Sequence, residues 1–127
     1  MESDFDKYSK LLSIPDDLLI AKIKYSLALL GMSESYFSFH YLVTILLNLI
    51  KTPQIADETV FKDSVDSIAQ KYKIEPRTIR YELGRILNSC TNPEIKSKSQ
   101  YNLKNNGVLN KIRVIKEYIL TTLTNII

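Results

Sequence analysis

A chain of 127 residues has room for one domain with a hydrophobic core, and residues 1–127 are expected to fold as such a unit. Apolar residues make up 45 % and charged residues 24 %, a balance that excludes a disordered or low-complexity chain. The single cysteine, Cys90, excludes an internal disulfide framework and points to a reducing compartment.

The net charge of +3 is unevenly spread. Residues 1–70 carry 6 Lys/Arg against 10 Asp/Glu, a net −4, and residues 71–127 carry 11 against 4, a net +7. A basic half suits a polyanionic partner, because each phosphate contact releases condensed counterions. The acidic start, Met1-Glu2-Ser3-Asp4-Phe5-Asp6, lacks the basic-then-apolar order of a signal peptide. Tyr41 to Ile50 is apolar but too short to span a bilayer. A soluble, cytoplasmic protein with no membrane contact is the expectation.

Only 3 Gly and 4 Pro interrupt the sequence, and its apolar residues recur at helical spacing, which predicts an all-α fold of about six helices. Asp4 to Leu12 is a short helix candidate. Ser13-Ile14-Pro15-Asp16-Asp17 reads as a helix start, with carboxylates at the positive end of the dipole. That helix runs through Leu18, Leu19, Ile23, Leu27 and Leu30 and stops at Gly31. Ser33 or Ser35 is placed to cap the next, through Phe39, Leu42, Val43, Leu46 and Leu49. Apolar on most of its circumference, it is expected to be the central buried helix.

Thr59 to Tyr72 and Pro76 to Asn88 repeat the pattern, and Thr91 to Gly107 is a polar loop or a weak helix. Val108 to Ile127 ends the chain, with Ile112, Ile115, Ile119 and Leu123 on one face.

The segment from Val65 to Asn88 carries the function. A helix-turn-helix needs two short helices in close approach, and Ala69 supplies the small residue that permits it. Ile68 and Tyr72 anchor the first helix, Ile74 plugs the turn, and Ile79 and Leu83 anchor the second. Pro76 falls in a first turn, where its missing N–H is harmless. This packing leaves a free face of Arg77, Thr78, Arg80, Tyr81, Gly84 and Arg85. Arg pairs bidentately with guanine, Thr meets a base edge or a thymine methyl, and Tyr81 reaches a phosphate. Lys71 and Lys73 suit phosphate contacts that set register. Gly84 is unusual in a helix interior and suggests close approach of a neighbouring backbone.

Three stretches carry a family likeness. Leu29-Leu30-Gly31-Met32-Ser33 followed by Phe39-His40-Tyr41-Leu42, then Ile68-Ala69-Gln70-Lys71-Tyr72, then the spacing of Ile79, Leu83 and Leu87, together resemble the C-terminal DNA-binding effector domain of the stage-zero sporulation response regulator. The likeness covers roughly residues 22–90 and implies six helices around a helix-turn-helix, and sporulation control. The family's reading residues are replaced here by Arg80, Tyr81, Gly84 and Arg85, so its DNA site does not transfer. Nothing matches the family's receiver domain, which implies a stand-alone effector. Pro76-Arg77-Thr78-Ile79-Arg80 also resembles the second helix of winged repressors, but residues 91–107 lack the alternation of a β-wing.

His40 has no ligand cluster around it, Cys90 reads as a buried structural thiol, and no phosphate-binding glycine loop exists. Tyr36, Tyr41 and Tyr118 read as core or core-edge residues. No enzyme activity, metal or cofactor is expected. Two partners compete. The first is double-stranded DNA, bound by a homodimer paired through Ile112, Ile115, Ile119 and Leu123. The second is a related response regulator, antagonised without DNA binding.

Overall fold

The computed structural model describes residues 12–91 and 107–126. These residues form five helices and contain no strand: α1 (Asp16–Leu29), α2 (Phe37–Lys51), α3 (Asp57–Tyr72), α4 (Pro76–Asn88) and α5 (Gly107–Ile126). The all-helical reading of the sequence therefore holds. The short helix read at Asp4 to Leu12, save Leu12 itself, and the polar stretch Thr91 to Gly107, save its two end residues, lie outside the described residues.

The ends of α1 follow from its flanking residues. Pro15 precedes the first turn, and its carbonyl accepts the Leu19 N–H at 3.0 Å. Gly31 ends the helix at φ +92°, a conformation that costs Gly little and an L side chain much. Thr91 closes over that glycine. Its N–H donates to the Leu30 carbonyl at 2.8 Å, and its hydroxyl donates to the same oxygen at 3.3 Å.

The expected serine cap of α2 does not form. Tyr36 occupies the cap position, with no side-chain hydrogen bond to the helix. The Ser33 hydroxyl instead accepts the Ser35 N–H at 3.3 Å, a local turn that uses up its capping capacity. The rest of α2 behaves as its pattern demands. Phe39, Tyr41, Leu42, Val43, Ile45, Leu46, Leu49 and Ile50 are all buried, and every other helix packs on it. Burying a side chain of this kind contributes about 1.5–3 kcal/mol, so α2 dominates the core.

Polar contacts fix the helices that surround it. The Asn48 amide of α2 donates to the Ser64 hydroxyl of α3 at 2.9 Å. The first turn of α3 carries Asp57 and Glu58, and α5 brings two cations to them. Arg113 Nε lies 3.3 Å from Asp57 Oδ2, Lys116 Nζ lies 3.3 Å from Asp57 Oδ1, and Arg113 also pairs with Glu58. The Glu58 carboxyl is held below its usual range, first by a hydrogen bond from its own backbone N–H, then by Arg113.

Ile112, Ile115, Ile119 and Leu123 of α5 are each 2 % exposed or less, so they fill the core of their own chain. Cys90 is likewise buried. Tyr41 is buried and Tyr118 packs on the core, but Tyr36 is 61 % exposed, contrary to its reading as a core or core-edge residue. It stands outside the helix that would have turned it inward.

A candidate nucleic-acid interface on α4

The pair α3 and α4 is joined by Lys73, Ile74 and Glu75. Lys73 adopts the left-handed conformation, φ 57° and ψ 46°, which turns the chain sharply. The Ile74 N–H closes the turn on the Ala69 carbonyl at 3.0 Å, and the Ile74 side chain packs against the core. Ile68 and Ala69 are buried on α3, and Ile79 and Leu83 are 0 % exposed on α4. Every scaffold residue read from the sequence thus points inward except Tyr72. It is 44 % exposed and rests its ring 5.6 Å from that of Tyr41.

With Ile79, Leu83, Ile86 and Leu87 turned inward, a period of about 3.6 residues leaves Arg77, Tyr81, Arg85 and Asn88 along the opposite line. All four are exposed, as are Thr78, Arg80, Lys71 and Lys73. The Arg77 side chain is 87 % exposed and Tyr81 is 68 % exposed. The seven predicted contact residues are therefore all exposed: Lys71 and Lys73 at the end of α3, Arg77, Thr78, Arg80 and Tyr81 in the first half of α4, and Arg85 in its last turn.

They are not equivalent. Arg77 Nε donates to Glu75 Oε2 at 2.7 Å, so a carboxylate shares its charge. Arg80 sits on the flank of α4, its guanidinium 5.8 Å from the centre of the Phe61 ring. Arg85 faces solvent and lines a cleft of about 310 Å³ with Tyr36, Phe37, Ser38, Glu82, Ile86 and Ser89. The Tyr41 hydroxyl is pushed to higher pKa by burial first, then by the charges of Glu82 and Tyr72.

Gly84 does not belong to the free face. A Cβ at this position would meet Val108 Cγ2 of α5 at 3.7 Å, an ordinary contact. The neighbour is a side chain with space before it, and no backbone approaches closely enough to require glycine.

Two further residues border this line and were not read from the sequence. Asn88 continues the Arg77, Tyr81, Arg85 line, and helical spacing alone would have found it. Lys111 reaches the same edge from α5, its Nζ donating to Asn88 Oδ1 at 2.8 Å. That placement depends on tertiary packing, and no local signal marks it.

No family model, curated protein or solved structure matches the chain. Among the described residues no group of three or more His, Cys, Asp and Glu is placed to hold a metal ion, and no helix is long and apolar enough to cross a membrane.

Proposed function

We propose that this chain is a sequence-specific DNA-binding transcription regulator and that the segment from Val65 to Asn88 is its helix-turn-helix. The observation that carries this reading is the outward line of α4. It is exposed, cationic and rigidly backed by buried Ile79 and Leu83. On this reading α4 enters the major groove. Arg77, Thr78 and Arg85 meet base edges, Tyr81 meets base or phosphate, and Lys71, Lys73 and Arg80 hold the backbone. The protein then binds as a homodimer, works in the cytoplasm, and needs no catalysis and no cofactor. The likeness to the sporulation effector domain supports the same reading and suggests sporulation as the regulated process.

Selection of bound duplexes from a random pool tests it. A recovered motif, with affinity that falls steeply as salt rises, is the expected result. No enrichment at low salt would overturn it.

A second reading takes the chain as an interaction protein that antagonises a related regulator. The cleft beside Arg85 favours it, because Phe37 and Tyr36 are 73 % and 61 % exposed there and Glu82 adds a negative charge. Exposed aromatics with Arg are frequent anchors of protein interfaces. Capture of a related regulator without salt-dependent DNA binding decides for this reading.

A further inference from the structure

The cations of α5 are held in two different ways. Arg113 and Lys116 are bound by the carboxylates of Asp57 and Glu58. Lys111 makes no ion pair among the described residues, and its Nζ donates to the neutral Asn88 Oδ1 at 2.8 Å. An amide holds an ammonium in place without cancelling its charge, whereas the Glu75 carboxylate, 2.7 Å from Arg77 Nε, shares the charge it holds. Packing fixes where Lys111 stands. Its chain neighbours Leu109 and Ile112 are 2 % and 0 % exposed. Val108 lies 3.7 Å from the place of a Cβ at Gly84. Lys111 and Asn88 each lie about one turn beyond that contact, which carries the lysine to the C-terminal edge of α4.

The chemistry of the pair is one-sided. Lysine has only donors, so the Asn88 amide turns its oxygen to Lys111 and its NH2 group outward. Two ammonium N–H groups and the amide NH2 are left for a ligand. Arg85, one turn earlier on the exposed line of α4, adds a guanidinium that makes no ion pair among the described residues. Glu82 is the carboxylate nearest along the helix, six positions before Asn88. The C-terminal end of α4 opposes an anion with about half a negative charge, against two full positive charges on Arg85 and Lys111. Two of its last carbonyls, of Ile86 and Leu87, are already occupied by the Ser89 and Cys90 N–H groups.

We infer that Asn88 and Lys111 together clamp a phosphodiester oxygen of the DNA backbone. The inference rests on the DNA-binding reading and extends its contact surface from α4 to α5. Residues 77 and 88 lie about 16 Å apart along the helix axis. The major groove is about 12 Å wide, so a helix of this length reaches a backbone wall at each end. Lys71 and Lys73 serve the wall beyond the start of α4, and the clamp serves the other. An asparagine on a reading helix ordinarily pairs with adenine, donating to N7 and accepting from N6. Here Lys111 draws the amide oxygen toward α5, and Asn88 is the final residue of α4, past the half that meets base edges. The pair thus sets position and leaves base reading to residues earlier on the helix.

Salt titration of duplex binding by the intact chain tests the clamp, with one duplex selected from a random pool and one of unrelated sequence. Lys111→Met keeps the aliphatic stem and removes the charge. It should reduce the slope of log affinity against log salt by about one and weaken binding to both duplexes about eightfold near 0.1 M salt, the effect of a slope of about 0.9 over one decade. Lys111→Arg should keep the wild-type slope. Asn88→Asp separates a clamp from a mere staple between α4 and α5. It sets a carboxylate on Lys111, so the melting temperature stays at or above the wild-type value while binding to both duplexes weakens. Lys62→Ala, on the outer face of α3, leaves the slope unchanged. Wild-type affinity and slope in Lys111→Met, or wild-type binding in Asn88→Asp, overturns the clamp and leaves the DNA reading standing. A loss confined to the selected duplex also overturns it, in favour of base contact. A wild-type chain that binds neither duplex overturns both.

Discussion

Replacing glycine by alanine at positions 31 and 84 makes the same chemical change with opposite expected signs. At Gly31 the backbone sits at φ +92°, and a Cβ would lie 2.7 Å from Thr91 Oγ1 and 2.9 Å from Thr91 Cγ2. The left-handed conformation costs an L residue about 1–2 kcal/mol. The clash also drives Thr91 away from the Leu30 carbonyl, and each hydrogen bond lost there costs about 1 kcal/mol. Gly31→Ala should therefore destabilise by about 2–4 kcal/mol in total. At Gly84 the helix is regular and the nearest atom, Val108 Cγ2, is 3.7 Å away. The intrinsic preference of Ala over Gly, about 1 kcal/mol, is then gained without strain. Urea unfolding of the two variants reads both numbers, as a midpoint shifted down at position 31 and up at position 84, with unchanged slope. The functional arm is sharper. The added methyl at position 84 faces α5, so duplex affinity stays at the wild-type value while stability rises. A destabilised Gly84→Ala variant, or one that loses duplex binding, would refute the placement of α4 against α5.

Further outcomes follow from the same surfaces. Arg85→Ala should weaken duplex binding and reduce the slope of log affinity against log salt by about one if the guanidinium meets a phosphate, or relax base preference if it meets guanine. Glu75→Gln should tighten duplex binding, because it frees Arg77 from the carboxylate 2.7 Å away; a gel-shift titration showing weaker binding contradicts this. Glu58 has its folded pKa below the ordinary value of a glutamate, so its charge adds stability above that ordinary value and the contribution disappears as pH falls through the folded pKa. The stability gap between wild type and Glu58→Gln should thus be visible near neutral pH and close in acid; a gap independent of pH contradicts the assignment. Ser64→Ala leaves the Asn48 amide without its partner in a part-buried site and should cost about 1–2 kcal/mol, of which the double change with Asn48→Leu recovers a part.

Much of the fold is written locally. Pro76 and Asn88 bound α4 as the sequence reading has them, since a proline start and the apolar spacing of Ile79, Leu83, Ile86 and Leu87 leave little choice. Gly31 stops α1 for the same kind of reason. The misses share a physical cause, competition from a partner that spacing does not show. Ser33 bonds Ser35 before it can cap α2. Gly84 looks free on a helical wheel, but α5 covers that flank. The Ile112, Ile115, Ile119 and Leu123 stripe looks available for pairing until α2 and its neighbours surround it. The exposure of the proposed contact residues on α4 was legible. Their unequal settings, Arg77 on Glu75 and Arg80 over Phe61, arise from side chains that sequence spacing cannot rank.

The bonds from Thr91 to the Leu30 carbonyl join groups 61 residues apart in the chain. They fasten the segment that follows α4 to the end of α1. The two helices accordingly cannot fray independently, and amide exchange in the last turn of either should report the opening of both.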